Sequence, residues 1–401
     1  MVEPGKLILC ADPERNAWLQ SLVQRSVAFL LSQLRTWKVE AILLTGSAAR
    51  GEASVLYHDH HYRLLGDIEF LVVVQPLHNW PLLRRRTLDL SRQATWKLGK
   101  GGQAACIEYG PAGLKYLRRT IRPSMFAYDL RMHGRVVWGR QDILSEIPPF
   151  EVTDIPAEDA INLLMNRLIE TMMWQRRHLH ANTRDTMNRA YHAVKVTLDQ
   201  AGSVLAFTGR YVSSYAKRAQ GFRDVLQHTA ELWTTQPQAE QFLSALDHAV
   251  HCKLEPTLAR LAACLRPGAQ LQQETWGRAL WVWEVSQLCG LDKLRFSDAL
   301  EVYLHRESLA RRLRGWLKFV CHPLRPTGAL SWQHMLRLLP YASPQTLTYA
   351  AAMLTSAGCA GEVPPDWQKR VAELLPLPTS PACSDQVTDL GNLWQWLIRN
   401  N

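Results

Sequence analysis

The sequence predicts an α+β chain: an N-terminal α/β domain followed by an all-α C-terminal half. Three observations carry this. Up to residue 147, short apolar runs ending in Gly or Pro alternate with segments whose apolar positions fall at helical spacing. After Ile147-Pro148-Pro149 only the helical spacing continues, and β-branched runs become scarce. The chain has 401 residues, 47 % hydrophobic and 20 % charged, which suits two or three packed domains and excludes a mainly disordered or collagen-like chain.

The elements follow in order. Residues 14–37 place Leu19, Val23, Val27, Leu30, Leu31 and Leu34 at helical spacing, with Asp12 and Pro13 as N-cap and first helical residue. Val39–Thr45 reads as a strand running into a Gly46-Ser47 turn. Tyr57–Arg63 is polar and His-rich and is expected as a solvated loop. Asp67–Val74 is a strongly apolar strand, and Phe70–Val74 has the character of a central strand buried on both faces. Leu82–Leu98 reads as a basic helix stopped by Gly99-Lys100-Gly101-Gly102. Ala104–Tyr109 is a third strand ended by Gly110-Pro111, and Arg135–Trp138 a fourth ended by Gly139. Helices are expected over 157–178, 186–202 and 211–225, and helix after helix from about 229. Pro376–Ser384 reads as a loop before a last short helix with Trp394 and Trp396. The 15 tryptophans, Trp276, Trp281 and Trp283 among them, are expected to pack cores or interfaces rather than to stack on sugars.

Charge is concentrated. Lys+Arg number 46 and Asp+Glu 36, a net +10, and residues 81–140 alone hold 13 basic and three acidic side chains, also +10. The rest of the chain therefore sums to zero, so an anionic ligand is expected at that segment. The eight cysteines form no C-x-x-C pair, and their wide spacing argues against a zinc site or a disulfide framework; reduced and mostly buried thiols are expected. No apolar stretch approaches a membrane span and no signal-peptide core is present, so a soluble cytoplasmic protein without a membrane partner is expected.

The chemistry-bearing stretch is Gly46-Ser47-Ala48-Ala49-Arg50-Gly51-Glu52, followed by Gly66-Asp67-Ile68-Glu69-Phe70. A Gly-Ser turn after a strand lets the backbone approach a bound phosphate, and the helix start that follows adds N–H donors. Asp67 and Glu69, at i and i+2 of a strand, point the same way, while Ile68 and Phe70 face the opposite, buried side. Two carboxylates on one face beside such a turn suit Mg²⁺ shared with a triphosphate. Glu108, on the next strand, would complete the site if that strand neighbours the first. His58-Asp59-His60-His61 is compact and reads as a solvated loop rather than a metal site. Tyr191, Tyr211, Tyr215 and Arg218 suit either core packing or a base or acceptor pocket.

G-S-x-x-R-G-E followed by D-x-E resembles the nucleotidyltransferase superfamily that includes DNA polymerase beta. It is most similar to the small-molecule members, the aminoglycoside adenylyltransferases and minimal nucleotidyltransferases. The resemblance covers roughly residues 15–225, and Asp67 follows Ser47 by twenty positions, a longer interval than the family's. It implies a small mixed sheet in a catalytic domain over 1–147 and a helical nucleotide- and acceptor-binding domain over 148–228; the all-helical domain expected over 229–401 rests on its helical spacing alone and lies outside the resemblance. The resemblance also implies that Gly46, Ser47 and Arg50 bind the nucleotide, that Asp67, Glu69 and Glu108 hold a two-ion Mg²⁺ site, and that Glu108 can act as base. Lys195, in His192-Ala193-Val194-Lys195, is similar to a phosphate-contacting lysine of the adenylyltransferases. The implied activity is transfer of a nucleoside monophosphate, from ATP first, to an acceptor hydroxyl on a small molecule, with release of pyrophosphate. The alternatives are nucleotide addition to RNA or DNA ends, which the basic segment suits, and a non-catalytic nucleotide-binding module.

Overall fold

The computed structural model describes residues 6–9, 12–75, 80–177, 183–226, 236–266, 268–292, 294–321, 332–361, 363, 366–376 and 383–399. The chain forms an α+β structure, a small mixed sheet followed by a long helical half. It divides into two units. The first comprises Met1–Asp159, Leu205–His228 and Thr235–Cys264; the second comprises Ala160–Val204, Thr229–Thr234 and Leu265–Asn401. Residues 148–228, expected as one helical domain, are thus shared between the two units. Among the described residues, no helix is long and apolar enough to cross a membrane.

The first unit is built on a four-stranded sheet in the order β5-β4-β1-β6. β1 (Val39–Thr45) pairs antiparallel with β4 (Asp67–Val74) and with β6 (Arg135–Gly139), and β4 pairs parallel with β5 (Cys106–Gly113). Alternation sorts the strands' side chains onto two buried faces. Ile42, Leu44, Ile68, Phe70, Val72, Ile107 and Tyr109 lie on one face. α1 (Pro13–Gln33) covers it with Leu19, Leu22, Val23 and Leu30, and α3 (Trp80–Lys97) with Leu83, Leu90 and Ala94. Asp12 starts α1 as expected, its carboxylate accepting from the Glu14 and Arg15 amides at 3.1 Å, with Pro13 in the first turn. Ala41, Leu43, Leu71, Val73 and Ala112 lie on the other face, under α4 (Met125–His133) and Leu114–Ile121. β4 is a central strand buried on both sides along Phe70–Val74.

Three sequence expectations need correction. β5 does not stop at Gly110-Pro111: Pro111 sits in register with Val72, and β5 is the sheet's edge strand, where a residue lacking an N–H is tolerated. The His-rich stretch is not a loop but a hairpin of β2 (Val55–His58) and β3 (His61–Leu64), turned by Asp59 and His60, both at positive φ. Its tip is solvated as expected; its base, Val55, Leu56 and Leu64, is buried. The thiols are not mostly buried either: of the six described cysteine side chains, Cys252 alone is buried, and Cys321 and Cys359 are exposed. Cys10 and the side chain of Cys383 lie outside the described residues.

After the sheet, the first unit continues with α7 (Tyr215–Leu226), α8 (Gln236–Leu254) and α9 (Leu258–Ala263), α7 meeting α8 through Phe222 and Phe242, whose rings are 5.0 Å apart. Between them in the chain run α5 (Ala157–Arg177) and α6 (Thr183–Phe207). The second unit takes most of α5 and α6, with α10 (Ala269–Leu288), α11 (Phe296–His305), α12 (Leu309–Val320), α13 (Trp332–Leu338), α14 (Pro344–Cys359), α15 (Trp367–Leu374) and α16 (Cys383–Trp394). α14 is buried nearly all round, and α10, α11, α12, α15 and α16 pack against it. Trp276, Trp281, Trp394 and Trp396 are buried, as expected of packing residues, whereas Trp80, Trp96 and Trp138 are exposed.

Candidate functional site

At the end of β1 the chain turns sharply. Gly46 takes φ of +65°, and Gly46–Ala49 forms one helical turn, α2. Two features favour the glycine here. A side chain resists this φ, and a Cβ here would lie 2.5 Å from Glu69 Oε2. Thr45, which precedes the turn, makes no capping bond to it; its hydroxyl lies 3.4 Å from Glu69 Oε2 instead. Glu69 is therefore packed directly beneath the Gly46-Ser47 turn, and both Gly46 and Ser47 are half-buried.

The sheet aligns the other acids. Thr45 is opposite Glu69 across β1 and β4, and Glu69 is opposite Glu108 across β4 and β5. One step along, Asp67 is opposite Cys106. All five positions lie on the face that carries Leu71 and Val73, at the end of β1 and the starts of β4 and β5, beyond the apolar cover. One ligand atom each from Asp67, Cys106 and Glu108 lies within 4.8 Å of the others, and all three residues are half-buried. Burial pushes the Cys106 thiol well up, and the Asp67 and Glu108 charges push it further. Cys106 thus stays a neutral thiol between two carboxylates.

The donor set bears on which cation it would take. Mg²⁺ uses one or two carboxylates and fills its remaining positions with water and substrate phosphate, and it has no use for a thiol. Asp67 and Glu108 meet that requirement, with Glu69 beside them at the turn. Cys106 was not foreseen; the signal was available, since it lies two residues before Glu108 on the same strand face.

Arg50, expected on the nucleotide, is instead buried and engaged within the protein. Its Nη1 lies 2.7 Å from Asp129 Oδ2 and its Nε 3.3 Å from Glu52 Oε2. Tyr211 donates to the same Asp129 oxygen at 3.2 Å. Glu52 accepts from the Ser214 hydroxyl at 2.7 Å and from the Tyr215 and Ala216 amides at 3.0 and 3.1 Å, so the last residue of the motif caps α7. Burial alone would raise the Glu52 carboxyl; Arg50 and these donors hold it below its ordinary value. The Tyr215 ring receives the cations Arg218, Arg50 and Lys253 at 4.4, 4.9 and 5.0 Å. Tyr211, Tyr215 and Arg218 are therefore parts of a polar brace behind the turn. Arg135 on β6 adds to it, donating to the Ala49 carbonyl at 2.6 Å.

Lys195 lies half-buried on α6, in the second unit; Gly46, Asp67, Glu69 and Glu108 all belong to the first. The basic segment is partly neutralised from just beyond its end. Glu146 takes both Arg118 and Arg140, and those bonds hold its carboxyl down at about 2. A cavity of about 770 Å³ in the first unit lies between α1 and β6, lined by Val23, Val27 and Val137 among others, and contains none of the acids. Comparison with family models, with curated proteins and with solved structures finds no match to this chain.

Proposed function

We propose that the first unit is a Mg²⁺-dependent nucleotidyltransferase that transfers a nucleoside monophosphate, from ATP first, to the hydroxyl of a small-molecule acceptor. One observation carries the reading: Asp67, Glu69 and Glu108 share one sheet face beside a turn whose glycine takes a positive φ directly against the Glu69 carboxylate. The resemblance in the G-S-x-x-R-G-E and D-x-E motifs supports it.

In this reading Gly46 and Ser47 admit the triphosphate close to the backbone. Asp67 and Glu108 hold the cation, and Glu69 fixes the turn from below while presenting a further oxygen. When bound, Mg²⁺ supplies charge neutralisation at the phosphates and acidifies the acceptor hydroxyl. Glu108 takes the acceptor's proton as its oxygen attacks the α-phosphorus, and the bond to pyrophosphate breaks. Arg50, Glu52 and Asp129 keep the turn rigid, which orientation of an in-line attack requires. The zero net charge of the chain outside residues 81–140 favours a small acceptor over a nucleic-acid end, which needs a basic path leading away from the site.

The test incubates the full chain with α-labelled ATP, Mg²⁺ and fractionated small-molecule extract, and follows both labelled product and pyrophosphate. Mg²⁺-dependent labelling that disappears in Asp67→Asn is expected. Labelling that survives loss of Asp67 would overturn the site, and labelling of RNA 3′ ends in place of small molecules would overturn the acceptor class.

A further inference from the structure

A second cluster in the first unit has different chemistry. His248 and Cys252 stand four residues apart on one face of α8, and Cys264 follows the last turn of α9. The spacing of these cysteines in the chain argued against a metal site; the fold of α8 onto α9 brings them together. Cys252 Sγ lies 3.4 Å from His248 Nε2 and 3.7 Å from Cys264 Sγ, and the three ligand atoms all fall within 4.8 Å of one another.

These distances carry information. With Zn–S near 2.3 Å, Zn–N near 2.0–2.1 Å and tetrahedral angles, two ligating sulfurs stand about 3.8 Å apart and a sulfur and a nitrogen about 3.6 Å apart. A disulfide needs the sulfurs at about 2.05 Å. The Arg260 carbonyl oxygen lies 3.1 Å from His248 Nε2 and 3.5 Å from Cys264 Sγ, near enough to be a fourth donor. Cys252 is buried, while His248 and Cys264 are half-buried, so the site has a closed side and an open one.

We propose that His248, Cys252 and Cys264 form a zinc site, with the Arg260 carbonyl or a water in the fourth position. Two thiolates balance the charge of Zn²⁺, and imidazole with thiolate is the donor set that zinc takes and Mg²⁺ does not. His248 binds through Nε2 with its proton on Nδ1, and the two thiol protons pass to solvent, so affinity rises with pH. The site ties α8 to α9, both in the first unit, and stands independently of the proposed transferase activity.

The full chain, reduced and freed of metal by chelation, is titrated with Co²⁺ and then with Zn²⁺. One equivalent of Co²⁺ is expected to give a thiolate-to-cobalt charge-transfer band with tetrahedral d–d absorption, both displaced by Zn²⁺. Cys264→Ser should weaken binding by at least about tenfold to a hundredfold, whereas Asp67→Asn should leave the band intact. In the unaltered chain, Zn²⁺ should slow alkylation of Cys252 and Cys264, read peptide by peptide, which keeps the test open if a variant misfolds. Absence of the band, its persistence in a Cys252→Ala/Cys264→Ala chain, or alkylation indifferent to Zn²⁺ would overturn the proposal.

Discussion

Glu52 and Glu284 are buried glutamates, one in each unit, and their surroundings push them in opposite directions. Glu52 meets Arg50 and three hydrogen-bond donors, and its carboxyl is held below its ordinary value. Glu284, on α10, has Ser203 as its hydrogen-bond partner, and burial pushes it up to about 8. The Ser203 hydroxyl has one proton and also lies 2.8 Å from the Ala160 carbonyl. A Glu284 that keeps its proton can donate to Ser203 and leave that serine's proton for Ala160. Burial thus leaves a charged group in one unit and a neutral one in the other, and the Arg50 cation, with the three donors around Glu52, makes the difference. The charged one stands where the proposed chemistry requires a rigid polar frame.

Breaking the pairing at Glu52 should have the largest effect. Arg50→Met leaves Glu52 and Asp129 without their cation and should cost about 3–5 kcal/mol in urea unfolding at pH 7. The linkage has a definite sign. Glu52's folded value is depressed, so its contribution is present above the unfolded value, 4.5, and is lost as pH falls through the folded one. Arg50→Met should therefore show a shallower acid limb than the parent chain; an unchanged limb would mean that the ion pair contributes nothing.

Glu284→Gln sharpens the contrast from the other side. Between 4.5 and about 8 the unfolded chain releases this proton while the folded chain keeps it, so stability falls as pH rises through that window. The amide abolishes this loss. The variant should match the parent below pH 4 and exceed it by a margin that grows to about 5 kcal/mol above pH 8, measured as the difference between unfolding curves.

The site acids, half-buried, are the intermediate case. Asp67→Asn should lower the proposed transfer by about 10²–10³-fold with little change in unfolding midpoint. Comparable losses in both would place Asp67 with Glu52, as a structural residue. Gly46→Ala should cost less stability than the change at Arg50, about 1–2 kcal/mol from the left-handed backbone, yet displace Glu69 and reduce activity more than stability.

The two halves of the catalytic reading differed in how well the sequence disclosed them. β1 and β4 were legible to the residue because each is an apolar run bounded by a turn, and period-two alternation alone put Asp67 and Glu69 on one face. Glu108 was legible only conditionally: its strand was, but its neighbour was not, until the parallel pairing with β4 was known. Arg50 misled because a motif position says nothing about the residues a later segment brings to it; Asp129 and Tyr211 lie 79 and 82 positions apart in sequence from their respective partners Arg50 and Asp129. The β2–β3 hairpin was missed because its turn, Asp59-His60, reaches positive φ without the usual glycine. The His248, Cys252 and Cys264 cluster was hidden for a related reason, since helix pairing rather than ligand spacing in the chain assembles it.

Glu52 also sets a timetable. The amide it holds at Tyr215 lies 163 residues downstream, so the cap cannot form when the strands first emerge from the ribosome. At about 5–20 residues per second the motif waits roughly 10–30 s for the segment that braces it. During that interval Arg50 and Glu52 are an incomplete pair on a half-built unit, so a nascent chain arrested before residue 215 should be sensitive to proteases at the Gly46–Glu52 turn and become resistant once α7 has been made.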